Sequence, residues 1–309
     1  MYCYGRNEPV TEGAGVPLTH EVLAPRSAVE DDDEGLELVR AAYPALWATA
    51  LNRWLRPGPP NQIGMLYASS YLVQTGGTCW AIDPILPSSL IPDWPAVDAQ
   101  PLRQLSFVLL THAHSDHFDG GLLAMLAASG VALIVPDHML ELVRDRVRPA
   151  RRQVLVARSG IPLTVAGVDI LPFDGFHKAR DDAGTLSGIE STGYYIVAGG
   201  RNLVFPGDAR HYDPLTLPDL PGVPDYLFAH LWLGRGAALA PEPPLLDAYG
   251  RFVVRWRAKH IYLAHLHQVS RPLTDRWTER HVEMVRQHLK QIDVPVKVEG
   301  LGPGQQVKW

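Results

Sequence analysis

The sequence predicts an α/β fold, and three features carry that prediction. From residue 66 onward, short apolar or alternating runs bounded by Gly, Pro, Asp and Asn are interspersed with stretches of helix length. The 309 residues are 46% hydrophobic and 20% charged, which supplies a core without disulfide support and lies far from the composition of disorder. No repeat period or low-complexity tract is visible, and collagen and coiled coil are excluded.

The elements follow in chain order. Residues 1–60 read as an N-terminal extension that is partly helical, and residues 61–309 as the main domain. The extension begins polar and rich in Pro and Gly, passes through the acidic run Glu30-Asp31-Asp32-Asp33-Glu34, and then turns helical. Leu36, Val39, Tyr43, Leu46, Trp47, Ala50 and Trp54 recur at three- and four-residue steps and define one apolar face. That face is expected to dock on its own protein, with a membrane-surface or lid role as the sharper alternative. The acidic run reads as a solvated helix N-terminus favoured by the macrodipole. Pro44 should kink this helix or start a second one. Arg56-Pro57-Gly58-Pro59-Pro60 then closes the segment.

Beyond it, strands are expected at residues 66–74, 79–82, 106–110, 132–135, 163–165, 168–173, 193–197, 202–205, 225–229 and 260–264. Gly199-Gly200 reads as a tight hairpin turn. Helices are expected at 120–129, 138–146, 245–257 and 275–292.

Charge and cysteine usage narrow the partners. The 28 Lys and Arg against 33 Asp and Glu leave a net charge of −5, so nucleic acid is a disfavoured partner and a small-molecule substrate is favoured. Cys3 and Cys79 are too few for a disulfide framework or a four-thiolate zinc site, and a reducing, cytoplasmic compartment fits best. No window approaches the roughly 18 apolar residues of a transmembrane segment, and MYCYGRNEPV lacks the basic-then-apolar pattern of a leader.

The chemistry concentrates after the apolar strand Phe107-Val108-Leu109-Leu110, in Thr111-His112-Ala113-His114-Ser115-Asp116-His117-Phe118-Asp119-Gly120. Four metal-ligating side chains lie within six residues. In an extended segment His112 and His114 project to the same side and can share one cation, while a following bend can send Asp116 and His117 to a second. A chance histidine-rich loop is a poor explanation for this spacing at a strand end.

His112-x-His114-x-Asp116-His117 resembles the signature of the metallo-β-lactamase superfamily of metallohydrolases. The downstream positions can be matched too: His177 after residues 168–173, Asp208 in Phe205-Pro206-Gly207-Asp208, and His265 after residues 260–264. Asp83 resembles the family's early structural aspartate, which supports the metal loop by hydrogen bonding. The resemblance covers residues 62 to about 300. It implies a four-layer αβ/βα sandwich in which His112, His114 and His177 bind a first cation, Asp116, His117 and His265 a second, and Asp208 bridges them. Zn²⁺ is the first choice, with Mn²⁺ and Fe²⁺ also accepting imidazole and carboxylate.

The reaction so implied is hydrolysis by a metal-bridging hydroxide of an ester, lactone, amide, thioester or phosphodiester, with Asp116 placed to shuttle a proton. The 31-residue step from His177 to Asp208 and the 57-residue step from Asp208 to His265 resemble the branch of L-ascorbate-6-phosphate lactonase and N-acyl phosphatidylethanolamine phospholipase D. The sequence after His177 departs from the lactonase loop. Three rivals on the same fold are a diiron oxidoreductase or oxygenase, opposed by the absence of the glutamate that flavin-coupled diiron members place at position 114, a non-catalytic binding module, opposed by every expected ligand position being filled, and a nucleic-acid-processing hydrolase.

Weaker signals surround the motif. Lys178 and Arg180 could clamp an anionic group on the substrate, or be solvated loop cations. His267 competes with His265 for the last ligand position, and His265 is preferred because it ends the apolar run. His230 and His211 are candidates for the cleft wall, with a supporting or surface role as the plain alternative. Trp277, His281, Met284 and His288 repeat at helical steps and read as one helix face. Residues 1–60 could cover the cleft or form a homo-oligomer contact.

Overall fold

Period-two alternation sends neighbouring strand side chains to opposite faces, and in this chain both faces are buried. Trp80, Ile82, Phe107 and Leu109 point to one core, and Ala81, Val108 and Leu110 between them point to another. A strand so covered needs a sheet on one side and helices on the other.

The structure is a computed structural model describing residues 32–55, 61–180, 186–212, 217–268 and 270–309. Helix α1 (Asp32–Leu55) precedes β1 (Gln62–Tyr67), β2 (Ser70–Thr75), β3 (Thr78–Ile82) and β4 (Phe107–Leu109). Helix α2 (Gly120–Ala128), β5 (Ala132–Pro136), α3 (Leu140–Arg146) and β6 (Val154–Ala157) follow. The second half runs through β7 (Leu163–Val165), β8 (Val168–Asp174), the short pair β9 (Ala179–Arg180) and β10 (Leu186–Ser187), β11 (Thr192–Ala198), β12 (Arg201–Phe205) and β13 (Tyr226–His230). It ends with α4 (Pro243–Arg255), β14 (His260–Ala264), α5 (Glu279–Gln291), β15 (Lys297–Gly300) and β16 (Gln306–Lys308).

Two seven-stranded mixed sheets result, ordered β16-β1-β2-β3-β4-β5-β6 and β15-β14-β13-β12-β11-β8-β7. Between them lie Ile63, Met65, Trp80 and Phe107 from the first sheet and Ile170, Tyr194, Phe205 and Phe228 from the second. Trp80 stacks on Phe107 at 5.5 Å, and Phe205 on Phe228 at 4.6 Å. Helices α1 to α3 cover the outer face of the first sheet, and α4 and α5 that of the second. This is the four-layer αβ/βα sandwich.

Helix α1 packs its apolar face on the protein itself. Tyr43, Trp47, Leu51 and Trp54 join the core outside the first sheet, and the Trp54 indole N–H donates to the Val73 carbonyl at 3.2 Å. Burying a side chain of that size contributes about 2–3 kcal/mol. The same anchoring carries one helix through Pro44, so no second helix begins there. Glu30 and Asp31 of the acidic run, and the closing residues 56–60, lie outside the described residues.

The strand expected at 66–74 is instead a hairpin of β1 and β2, turning at Ala68, whose φ is +49°, and Ser69. No Gly, Pro or Asn marks that turn, which is why the pattern hid it. The Gly199-Gly200 turn forms as expected, with φ of +57° and +72° between paired Ala198 and Arg201. The last helix starts at Glu279 rather than 275, because Thr278 and His281 form a reciprocal capping box at its N-terminus. Trp277 therefore precedes the helix instead of belonging to its face. Strands β6, β9, β10, β15 and β16 were not expected; β16 pairs with β1 in the first sheet. Cys79 is buried in β3. Among the described residues no helix is long and apolar enough to cross a membrane.

Strands β3, β4 and β5 run parallel, as do β12, β13 and β14. Their carboxyl ends run on into loops, the usual place for a site in parallel sheets.

Candidate metal centre

The loop after β4 is held in place before any cation is considered. Asp83, at the end of β3 with φ +42°, accepts from the Thr111 amide at 2.8 Å, from the Thr111 hydroxyl, and from His117 Nδ1 at 2.7 Å. The His114 carbonyl accepts from the amides of His117 and Phe118, which makes the bend that separates the two ligand pairs. Asp119 then caps α2 by accepting from the Leu122 amide at 2.9 Å. His112 Nδ1 meets the Thr111 hydroxyl at 2.9 Å, leaving Nε2 for the cleft.

The remaining predicted residues arrive from separate strand ends. His177 follows β8; its Nδ1 accepts from the Ile189 amide at 3.3 Å, and Gly188, at φ +84°, lies so close that a Cβ there would sit 2.2 Å from the His177 carbonyl. Asp208 follows β12. His265 follows β14 at φ +68°, a conformation uncommon outside glycine, and its amide donates to the Ala68 carbonyl at 3.1 Å. The β1–β2 turn hidden in the sequence thus anchors a candidate ligand.

These residues converge. His112, His114 and His177 place one donor atom each within 4.8 Å of one another, and so do Asp116, His117 and His265. Asp208 lies against the second group, with Oδ1 3.2 Å from His117 Nε2 and Oδ2 3.5 Å from His265 Nε2. His265 Nε2 is 3.6 Å from Asp116 Oδ2. Two donors each about 2.1 Å from one tetrahedral cation lie roughly 3.4 Å apart, so these separations suit shared coordination better than hydrogen bonding. Nε2 of His112, His117, His177 and His265 and both Asp208 oxygens are buried without a hydrogen-bond partner. Leaving such a group unmet costs about 1–3 kcal/mol, and six of them fit a site for cations.

Charge states agree with that fit. Burial pushes the imidazoles of His177 and His265 down to about 4, against the pull of Asp208, and holds His112 well below its ordinary value. Burial would raise Asp208, but the facing His230, His265 and His117 hold it well below the carboxylate range. Burial disfavours charge on His117 as well, yet Asp208, Asp83 and Asp116 raise it well above the ordinary imidazole value. Neutral imidazoles at His112, His177 and His265 beside ionised carboxylates are the protonation states that divalent cations require, whereas His117, facing three carboxylates, must give up a proton to ligate one.

Asp116 is braced from outside the motif. Its Oδ2 accepts from Arg271 Nη2 at 2.9 Å and Gln268 Nε2 at 2.8 Å, and Arg271 is itself held by Asp275 at 3.0 Å. Although burial would raise its carboxyl, His117, His265 and Arg271 keep Asp116 well below the usual range.

Lys178 pairs with Glu190 at 2.8 Å and lines an adjoining cavity instead of the metal cleft. The Arg180 side chain lies outside the described residues. The His267 imidazole meets Glu279 and belongs to none of the donor groups, and His211 sits beside Phe176, outside the cleft lining. A cavity of about 470 Å³ opens over the centre, lined by His114, Asp116, His177, Arg210, Arg235 and Arg271. The arginines come from three loops with no common motif, so nothing local in the sequence grouped them.

The model of the family described as Beta-lactamase superfamily domain matches residues 82–235. Among solved structures, the chain is similar to a metallo hydrolase from the hyperthermophilic archaeon Ignicoccus hospitalis, at 17% identity and TM-score 0.58 over 80% of this chain and 97% of that one. It is also similar to the isothiocyanate hydrolase from Delia radicum gut bacteria, at 15% identity and TM-score 0.56 over 80% and 99%. The diiron β-hydroxylase CmlA of Streptomyces venezuelae matches at 16% identity and TM-score 0.59, over 82% of this chain and 55% of that one. At these identities the likeness is one of fold. No curated protein matches the sequence.

Proposed function

We propose that the protein is a metal-dependent hydrolase of anionic small molecules, holding one divalent cation with His112, His114 and His177 and a second with Asp116, His117 and His265, with Asp208 shared between them. The observation that carries this reading is the convergence of buried, unpartnered imidazole nitrogens and carboxylate oxygens at coordination distances. Bound there, a cation pair supplies activated water at neutral pH and positive charge for a developing oxyanion.

The chain's own residues do the rest. Asp83 fixes the orientation of His117 through its Nδ1, as supporting carboxylates do for ligating histidines. Arg271 and Gln268 hold the Asp116 carboxylate in one orientation. Arg210 is poised for an anion: its Nε is buried without a partner, and its guanidinium lies 5.5 Å from the Trp232 ring. With Arg235 it gives the cleft wall a positive character suited to a carboxylate or phosphoryl group. The bonds that fit are esters, lactones, amides, thioesters and phosphodiesters, with Zn²⁺ the first choice of cation.

Metal analysis of protein purified without added metal, followed by a panel of lactone, thioester and phosphodiester substrates, tests the reading. Two ions per chain are expected, and His112→Ala should lower kcat at least ~100-fold with folding retained, a loss at the upper end of that for residues merely supporting a metal ligand. Unchanged turnover by that variant would refute the site. Two irons with a visible charge-transfer band would point to oxidative chemistry instead.

A further inference from the structure

His230, at the end of β13, belongs to none of the motif positions. Because β13 and β14 run parallel with His230 opposite Ala264, His230 and His265 leave neighbouring strand ends one residue apart. Their rings are 4.4 Å apart. The backbone is fixed on both sides: the His230 carbonyl accepts from the Tyr249 hydroxyl at 3.1 Å, and the Leu231 amide donates to the Ala264 carbonyl at 3.1 Å.

The side chain is 3% exposed, and its Nδ1 is buried without a hydrogen-bond partner. That atom lies 3.7 Å from Asp208 Oδ1, too far for a hydrogen bond and close to the separation of two donors on one cation. Asp208, His230 and His265 place their donor atoms within 4.8 Å of one another.

We propose that His230 is a further ligand to the second cation through Nδ1, an inference that rests on the two-cation reading above. The second site then offers three imidazoles and two carboxylates, a set that prefers Zn²⁺, Co²⁺ or Fe²⁺ to Mg²⁺ or Ca²⁺. The two sites are also unequal: the first has three imidazoles from the motif and β8, while the second draws on four strand ends.

Competition of the full-length, metal-depleted protein with a chromophoric chelator for Zn²⁺ reads both affinities. His230→Gln should weaken one of the two at least ~10-fold and leave the other within about twofold, a loss no smaller than that from removing a ligand's supporting contact. Two unchanged affinities would overturn the assignment. Should the variant fail to fold, zinc-soaked crystals of the unmodified protein decide: His230 Nδ1 within about 2.3 Å of an ion supports it, and more than about 3 Å from both ions overturns it. An unmodified protein that binds no zinc in either experiment would instead refute the two-cation reading itself.

Discussion

The metal loop and the strand-end ligands reach the same point by different means. His112, His114, Asp116 and His117 are delivered together on one short loop, braced by a single buried carboxylate, Asp83. His177, Asp208 and His265 each stand alone at the end of a different strand, and the two histidines are set by different neighbours, His177 by the Gly188–Ile189 turn and His265 by the Ala68 carbonyl. The loop is one unit that one substitution can disorganise. The strand ends are separate devices whose failures should be local.

The sharpest way to break that contrast is at Asp83. Asp83→Ala strips partners from the Thr111 amide and hydroxyl and from His117 Nδ1 in a fully buried setting, and should destabilise the fold by about 3 kcal/mol while weakening binding of the second cation. Denaturant titration with zinc competition measures both, and a change under 1 kcal/mol would remove Asp83 from its bracing role. Gly188→Ala is the strand-end counterpart. The added methyl collides with the His177 backbone, so affinity at the first cation should fall about tenfold with the second little changed.

The smallest effect is expected away from both regions, at Asp225. Burial would raise this carboxyl, but it accepts from Lys259 at 2.8 Å and the Asn202 amide at 2.9 Å, and these lower it below its ordinary value. A depressed carboxyl stabilises the fold above its unfolded value of about 3.9 and loses that contribution as pH falls through the folded one. Asp225→Asn should therefore cost about 1 kcal/mol at pH 7, discounted because Lys259 is exposed, and less at pH 3. Equal losses at both pH values would contradict this origin.

The same contrast explains what the sequence revealed. The loop was legible because all its donors lie within six residues after an apolar run, where no tertiary knowledge is needed to group them. His177, Asp208 and His265 were found by resemblance and by their position after strands. Arg271 and Gln268, the braces of Asp116, lie more than 150 residues away from it, and no local pattern links them. His230 did carry a signal: like His265 it ends an apolar run, but only the parallel pairing of β13 with β14 makes the two neighbours. Lys178 and Arg180 were favoured by nearness in sequence to His177, whereas the cleft takes its arginines from loops that meet only in three dimensions.

Counting bound ions per chain in the unmodified protein, His177→Ala and His265→Ala tests the central claim most directly, because each variant removes a donor from only one cluster. Two ions in the parent and one in each variant are expected. A parent that binds none, or a His177→Ala variant that keeps both at undiminished affinity, would contradict the account.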